Sequence, residues 1–251
     1  PLSTAGMMIE DRTRTFIIAM ERTVVPENFS FRMTDEEYRV LEKIKNSIPV
    51  CYLADHADFA LGIVTGNNKK FLSTEKTEHS EMVLKGTDIC KYHINPAKQY
   101  LRFEPEQFQQ VAPLEIYRAP EKLLYRFISN QLVVAYDDRQ MLSLNSCNIV
   151  IPKIEGMQIK YILAILNSSV SQFVYQKEFH SIKVLRAHME HIPIPRVGKA
   201  IQNEIIAMTE PLICGMGKEA AETCQKRLDC RIMDLFRLSA EEQWIIRHAL
   251  H

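Results

Sequence analysis

Glycine is scarce in this chain, at eight of 251 residues, and no low-complexity tract accompanies the eleven prolines. A collagen-like or linker-like polymer is thereby excluded. No apolar run approaches the roughly 18–20 residues that a membrane-spanning helix needs, since the stretch from Tyr161 to Leu166 is interrupted at once by Asn167. The N-terminus lacks a charged start followed by an apolar core, so no secretory signal is read there. Its first residue, Pro1, suits either a processed chain or a piece of a longer one. An excess of one charge sign is missing as well: 31 Lys plus Arg face 31 Asp plus Glu. Proteins that coat nucleic acid through bulk charge carry a basic surplus, so any phosphate contact must come from local patches. The six cysteines (Cys51, Cys90, Cys147, Cys214, Cys224 and Cys230) include no Cys-x-x-Cys pair. Zinc sites want close ligand pairs, and disulfide frameworks belong to small secreted chains. The expectation is reduced, mostly buried thiols in a cytoplasmic protein.

What is present fits one large domain or two small ones. The apolar stretch at residues 15–20 predicts a strand, and residues 24–31 a loop. Thr34 followed by Glu37 is a capping-box signature, and Tyr38, Leu41 and Ile44 continue at helical spacing until Pro49. Residues 50–155 turn to strand and turn signals: Leu61 to Val64 leads into the turn Thr65-Gly66-Asn67-Asn68, and strands at 132–136 and 148–151 flank a turn at 137–140. The period then changes. Ile159, Ile162, Leu163, Leu166, Val170, Phe173 and Val174 recur every three or four residues, predicting one amphipathic helix over 157–176. A polar, basic loop is expected at 177–186, and an extended segment at Ile192-Pro193-Ile194-Pro195. Helices are predicted over 200–214 and 218–236, with a last one opened by Ser239 and Glu242. The fold class read from this order is α+β: a mixed or antiparallel β-rich body with a central helix, then a helical C-terminal tail. Its divisions are 1–48 (lead-in from an upstream domain), 49–196 (body) and 197–251 (tail).

Catalytic signatures are hard to find. Gly62 and Gly66 are too isolated for a P-loop or dinucleotide fingerprint, and no Gly-x-Ser-x-Gly elbow occurs. An adenine methyltransferase centre would need Asn/Asp-Pro-Pro-aromatic; Asn95-Pro96-Ala97-Lys98 lacks the second proline and the aromatic. His188 and His191, with Glu190 between them, lack the third ligand of a zinc site, and Asp137-Asp138 reads as a turn. His56 with Asp55 and Asp58 has no partner nucleophile. The reading is therefore no catalytic residue, no metal and no cofactor in this chain. The region from Lys177 to Lys199 is more informative: five Lys/Arg and three His face two acids. Lys69 and Lys70 form a second basic segment. Such side chains neutralise phosphates and reach base edges, provided both segments lie on one face.

Several segments then carry a family resemblance. Gly62-Ile63-Val64-Thr65-Gly66-Asn67-Asn68-Lys69-Lys70-Phe71 resembles the Gly-Ile-x-Thr-Gly-x-Asn-x-x-Phe signature of TaqI-like target-recognition domains, the C-terminal specificity part of adenine-specific DNA methyltransferases and fused restriction–modification enzymes. Leu84-Lys85-Gly86-Thr87-Asp88-Ile89 with Tyr92, Pro120 to Arg126, Tyr161 to Ser168, and His191-Ile192-Pro193-Ile194-Pro195 are similar to four further blocks in the family's order. The tail from Leu228 to Glu242 also fits, so the likeness covers about 35–251. His191 stands where the family has an apolar residue. The resemblance implies a module that reads double-stranded DNA and positions it for a covalently linked upstream methyltransferase domain, whose cofactor would be S-adenosylmethionine. It implies no membrane partner. Candidate DNA contacts are Thr65, Gly66, Asn67, Asn68, Lys69, Lys70, Lys122, Lys177, His180, Ser181, Lys183 and Arg186. A protein-interaction module and a cryptic nuclease are the alternatives.

Overall fold

The computed structural model describes residues 33–179 and 181–250, together with the backbone of residues 6–10 and 15–19. The elements run β1 (Gly6–Glu10), β2 (Thr15–Ala19), α1 (Asp35–Asn46), β3 (Val50–Cys51), β4 (Ala57–Ala60), α2 (Asn68–Phe71), β5 (Leu72–Ser73) and β6 (Glu81–Leu84). Then follow β7 (Tyr100–Leu101), α3 (Leu114–Tyr117), β8 (Lys122–Arg126), β9 (Val134–Asp137), β10 (Leu142–Ser143) and β11 (Cys147–Pro152). The chain ends with α4 (Ile159–Asn167), α5 (Ser169–Phe179), α6 (Arg186–Glu190), β12 (Ile194–Pro195), α7 (Lys199–Cys214), α8 (Lys218–Leu235) and α9 (Ala240–Ala249). The class is α+β. β2 is the strand expected at 15–20 and pairs antiparallel with β1; the expected loop at 24–31 lies outside the described residues.

The organising element is an antiparallel sheet in the order β4-β11-β8-β9. Its strands are apolar runs rather than alternations, because both faces are covered. Leu123, Tyr125, Val134, Tyr136 and Val150 point into a core shared with the helices. Leu124, Ala135, Cys147 and Ile149 point into a second core under the small sheet β10-β6-β7-β5. The helical core is continuous from Val40, Leu41 and Ile44 of α1 to Leu228 and Ile232 of α8 and Ile246 of α9.

Both capping boxes have the expected geometry. Glu37 N donates to Thr34 Oγ1 at 3.1 Å while Thr34 N donates to Glu37 Oε2 at 3.0 Å, and Ser239 with Glu242 repeats the exchange. The helix expected over 157–176 is instead two helices. Ser168 leaves helical conformation (φ −70°, ψ 159°), and its Oγ accepts from Ser171 N to start α5. The break is not amphipathic in origin: every residue from Tyr161 to Tyr175 except Ser169 is buried, so the apolar period runs through it unchanged. Asn167, also buried, exchanges two hydrogen bonds with the backbone of Val134 (3.1 and 2.8 Å), and Gln172 does the same for Leu132 (2.9 Å each). Their amides complete the outer edge of β9, and Tyr92 N donates to the same Val134 carbonyl.

Two other expectations are corrected. Only Cys51 and Cys147 are buried; Cys90 and Cys224 are half-buried, and Cys214 and Cys230 are exposed on the tail helices. The basic loop at 177–186 is shorter than expected, since α5 continues through Phe179 and α6 begins at Arg186. The extended Ile-Pro-Ile-Pro segment does form a strand, with Ile194 paired to Cys51 of β3.

Candidate nucleic-acid interface

The register of the central sheet decides where the two basic segments lie. Ala60 opposes Ile149, and Arg126 opposes Cys147. The last residues of β4 and β8 and the first of β11 therefore share one end of the sheet. Residues 61–65 leave from that end, and residues 127–129 carry β8 onward past it. There Ser129 N donates to Ile182 O (2.9 Å) and Val184 N to Phe127 O (2.7 Å), docking the second basic segment beside the strand. Both segments thus spring from the same end, although more than a hundred residues separate them.

Gly62 makes the first departure possible. A Cβ there would sit 2.1 Å from the Leu144 carbonyl oxygen and 2.7 Å from that of Cys147, so the chain can pass this point only without a side chain. Gly66 is needed for a different reason, because its φ is +76°, in the left-handed region that a Cβ disfavours. Thr65 is buried, and its hydroxyl donates to Asn68 Oδ1 at 2.6 Å. Asn67 caps α2, accepting from Lys70 N at 3.2 Å. Gly66, Asn67, Asn68, Lys69 and Lys70 are all exposed. The Lys70 ammonium lies 4.5 Å over the Phe71 ring and reaches Gln107 Oε1 at 3.4 Å.

In the second segment Val184 is a buried anchor, while Ile182, Lys183 and Arg186 are exposed. Ser181 Oγ accepts from Lys183 N (3.1 Å) and donates to its carbonyl (2.9 Å). Arg186 lies 5.2 Å over Phe59 of β4 and pairs with Glu190 at 2.7 Å; that carboxylate raises its already high pKa further. His180 lies outside the described residues. His188 is buried against Phe179 (4.5 Å, stacked), and burial holds its pKa below the usual range. It accepts from Leu185 N at 3.2 Å through Nδ1, which fixes the turn into α6.

Besides buried Thr65, two further candidate DNA contacts turn inward. Lys122 is fully buried at the other end of β8, paired with Asp137 at 2.5 Å and donating to Tyr117 O at 2.6 Å. Its ammonium has no path to a phosphate. Lys177 extends from α5 to Glu37 of α1 at 2.7 Å, with 12% of its side chain exposed. In sequence both look free because their partners lie 15 and 140 residues away. Conversely, nothing in the sequence marks Phe127, Ile128 and Ser129. The Asp137-Asp138 turn is real: Asp137 accepts from Arg139 N (2.8 Å) and Met141 N (3.0 Å). Asp58 pairs with Lys153. Among the described residues no group of three or more His, Cys, Asp or Glu is placed to hold a metal, and no helix is long and apolar enough to cross a membrane.

Residues 81–194, which include most of the central sheet and the second basic segment, match the model of the TaqI-like C-terminal specificity domain. That match covers a little under half of the chain. The Gly62 to Phe71 signature lies just before the matched stretch. No curated protein matches the chain. Among solved structures, the type IIL restriction–modification enzyme MmeI in complex with DNA superposes with a TM-score of 0.52 at 11% identity, over 80% of this chain and 35% of that one. A chain of a type I restriction–modification system gives 0.45 at 13% identity, over 86% and 52%. The HsdS subunit from Thermoanaerobacter tengcongensis gives 0.41 at 14%, over 86% and 50%. The fold is thus shared with part of MmeI, and the chain spans about half or less of each of these proteins.

Proposed function

We propose that this chain is the DNA sequence-recognition module of a restriction–modification enzyme, positioning duplex DNA for an adenine-specific methyltransferase domain upstream in the same polypeptide. The observation that carries this reading is the specificity-domain match over residues 81–194. The shared origin of the two basic segments at one end of the central sheet supports it. In this reading residues 49–196 are the recognition body and residues 197–251 a supporting tail. Lys69, Lys70 and Lys183 neutralise phosphates, which positions the duplex without reading it. Asn67, Asn68, Ser181 and Arg186 supply the donors and acceptors that base edges require. Arg186 reaches guanine in bidentate fashion once it exchanges its Glu190 carboxylate for the base. S-adenosylmethionine would be bound by the upstream domain, and no methyl transfer is assigned to this chain alone.

The test is binding of the full chain to duplex DNA across a salt series. Affinity should fall linearly on a log–log plot, and Lys69→Ala with Lys70→Ala should flatten the slope by about 0.9 for each phosphate no longer neutralised. Salt-independent binding, or none, would refute the proposal.

A further inference from the structure

A cavity of about 410 Å³ opens between the body and the tail, bounded by the loop at residues 90–93 and by α7, α8 and the turn that joins them. Pockets of about 300–1,000 Å³ with apolar walls and a few converging polar groups are the usual form of a small-molecule site. Leu212, Met216 and Ala221 supply the apolar wall. Three polar side chains meet beside it. Tyr92 is 2% exposed, and its hydroxyl, next to the Gln225 side chain, has no hydrogen-bond partner. The enclosed Gln225 amide nitrogen has none either. Lys91 donates to Asn167 O at 3.2 Å, the one hydrogen bond of its ammonium among the described residues. Burial holds the Lys91 pKa below its usual range in spite of Asp229 nearby. Buried polar groups in folded proteins are normally paired, so two orphans in one wall require a cause. Tyr92 is unusual in a second way: its φ is +74°, where a bulky residue rarely sits. The hydrogen bonds Tyr92 N to Val134 O (2.7 Å) and Tyr136 N to Tyr92 O (3.1 Å) hold it there against β9, and backbone strain of this kind gathers at binding sites.

We propose that this cavity binds a small aromatic carboxylate, with its ring against Leu212, Met216 and Ala221 and its carboxylate on the Lys91 ammonium, the Gln225 amide and the Tyr92 hydroxyl. All three polar groups can donate hydrogen bonds, so the ligand must bring acceptors, and the ammonium favours a charged one. The Met216 thioether favours an aromatic body. Gln225 is the movable part: turning its amide into the cavity uncovers the hydroxyl behind it. Asp229, the acid near this cluster, is engaged by Ser169 N at 2.9 Å, and exposed Glu222 and Lys226 on the rim offset each other in charge. Because the walls come from both a body loop and the tail helices, a bound ligand joins the two, a role separate from DNA recognition.

The experiment titrates the full chain with 1-naphthoate and with its uncharged analogue 1-naphthamide by calorimetry, and follows alkylation of Cys90, which lines the cavity, by mass spectrometry. Naphthoate should bind saturably and about ten-fold or more tightly than naphthamide, since a charged acceptor makes the stronger hydrogen bonds. It should slow alkylation of Cys90 but not of exposed Cys214 and Cys230. Tyr92→Phe should weaken naphthoate by about ten-fold, the loss of one hydrogen bond to a charged group. It should melt no lower than wild type, because the hydroxyl removed has no partner. Lys91→Met should abolish the preference for naphthoate, and Ala221→Phe, which fills the space, should abolish both complexes. Binding that leaves Cys90 unprotected, equal affinity for the two compounds, or a preference that survives Lys91→Met overturns the proposal. So does wild-type affinity in Tyr92→Phe or Ala221→Phe, or no binding of naphthoate at millimolar concentration. Weaker binding by Tyr92→Phe together with a lowered Tm would make the hydroxyl structural and overturn its assignment to the ligand.

Discussion

Replacing Lys122 by methionine tests the inward assignment of this residue most directly. In the folded protein Lys122 and Asp137 are both fully buried, and the ammonium also satisfies Tyr117 O. Methionine fills a similar volume but strands the carboxylate with only the Arg139 and Met141 amides as donors. Removing one partner of a buried ion pair costs about 3–5 kcal/mol, mostly the penalty of the charge left behind. For a chain of this size each kcal/mol moves Tm by roughly 2–4 °C, so a fall of roughly 6–20 °C is expected. Adding Asp137→Asn removes the stranded charge while keeping an oxygen for the turn, and should recover much of the stability. Urea midpoints followed by circular dichroism supply the free energies. Binding of Lys122→Met to DNA, measured well below its melting temperature, supplies the second readout and should match wild type. A loss under about 1 kcal/mol would mean that water reaches the pair, since exposed pairs contribute little. A weakened DNA complex with unchanged stability would return Lys122 to the interface.

Gly62→Ala should destabilise more than Gly66→Ala in urea unfolding, because a Cβ at Gly62 meets two backbone carbonyls whereas the space around Gly66 is ordinary; the left-handed φ costs Gly66→Ala only about 1–2 kcal/mol. Equal destabilisation would refute this ranking. Tyrosines titrate late in the folded state: burial raises Tyr92 and Tyr161 strongly and pushes Tyr125 up to about 12. Because the folded-state values exceed the unfolded value near 10, this stability is fully present below pH 10 and is lost as pH rises through the folded values. Unfolding should therefore coincide with tyrosinate absorbance above pH 10, and full ionisation in a still-folded protein would contradict it. Ellman's reagent should modify Cys214 and Cys230 rapidly but reach Cys51 and Cys147 only on unfolding, burial raising both of the latter thiols. Fast labelling of Cys147 would refute its enclosure.

Local chemistry is legible in the sequence wherever one residue meets another three or four positions away. Thr34 with Glu37 and Ser239 with Glu242 announce their helices because the whole cap lies within one turn. The break at Ser168 is hidden because burial surrounds both helices and leaves no polar stripe to shift phase. The four-strand small sheet is hidden because β5, β7 and β10 are two residues long, too short for an alternation to register. Within the interface, the turn at Gly66 and Asn67 is readable from residue type. Whether its lysines and those near Arg186 rise from one end is not, because strand register fixes it through the pairings of Ala60 with Ile149 and Arg126 with Cys147. Charge is the most misleading signal: a lysine looks the same in sequence whether it faces solvent or an aspartate 15 residues on.

The two side-chain amides along β9 have a consequence for how this unit behaves beside other chains. An unpaired strand edge is a template on which a foreign strand can grow. Here Asn167 and Gln172 occupy the donors and acceptors of Val134 and Leu132 from within. An incoming strand would find no free backbone groups at those positions and would have to dislodge two buried amides. The sheet therefore has a built-in stop on that flank, made of two side-chain amides together with the Tyr92 backbone, which favours a unit that stays unpolymerised when crowded against copies of itself.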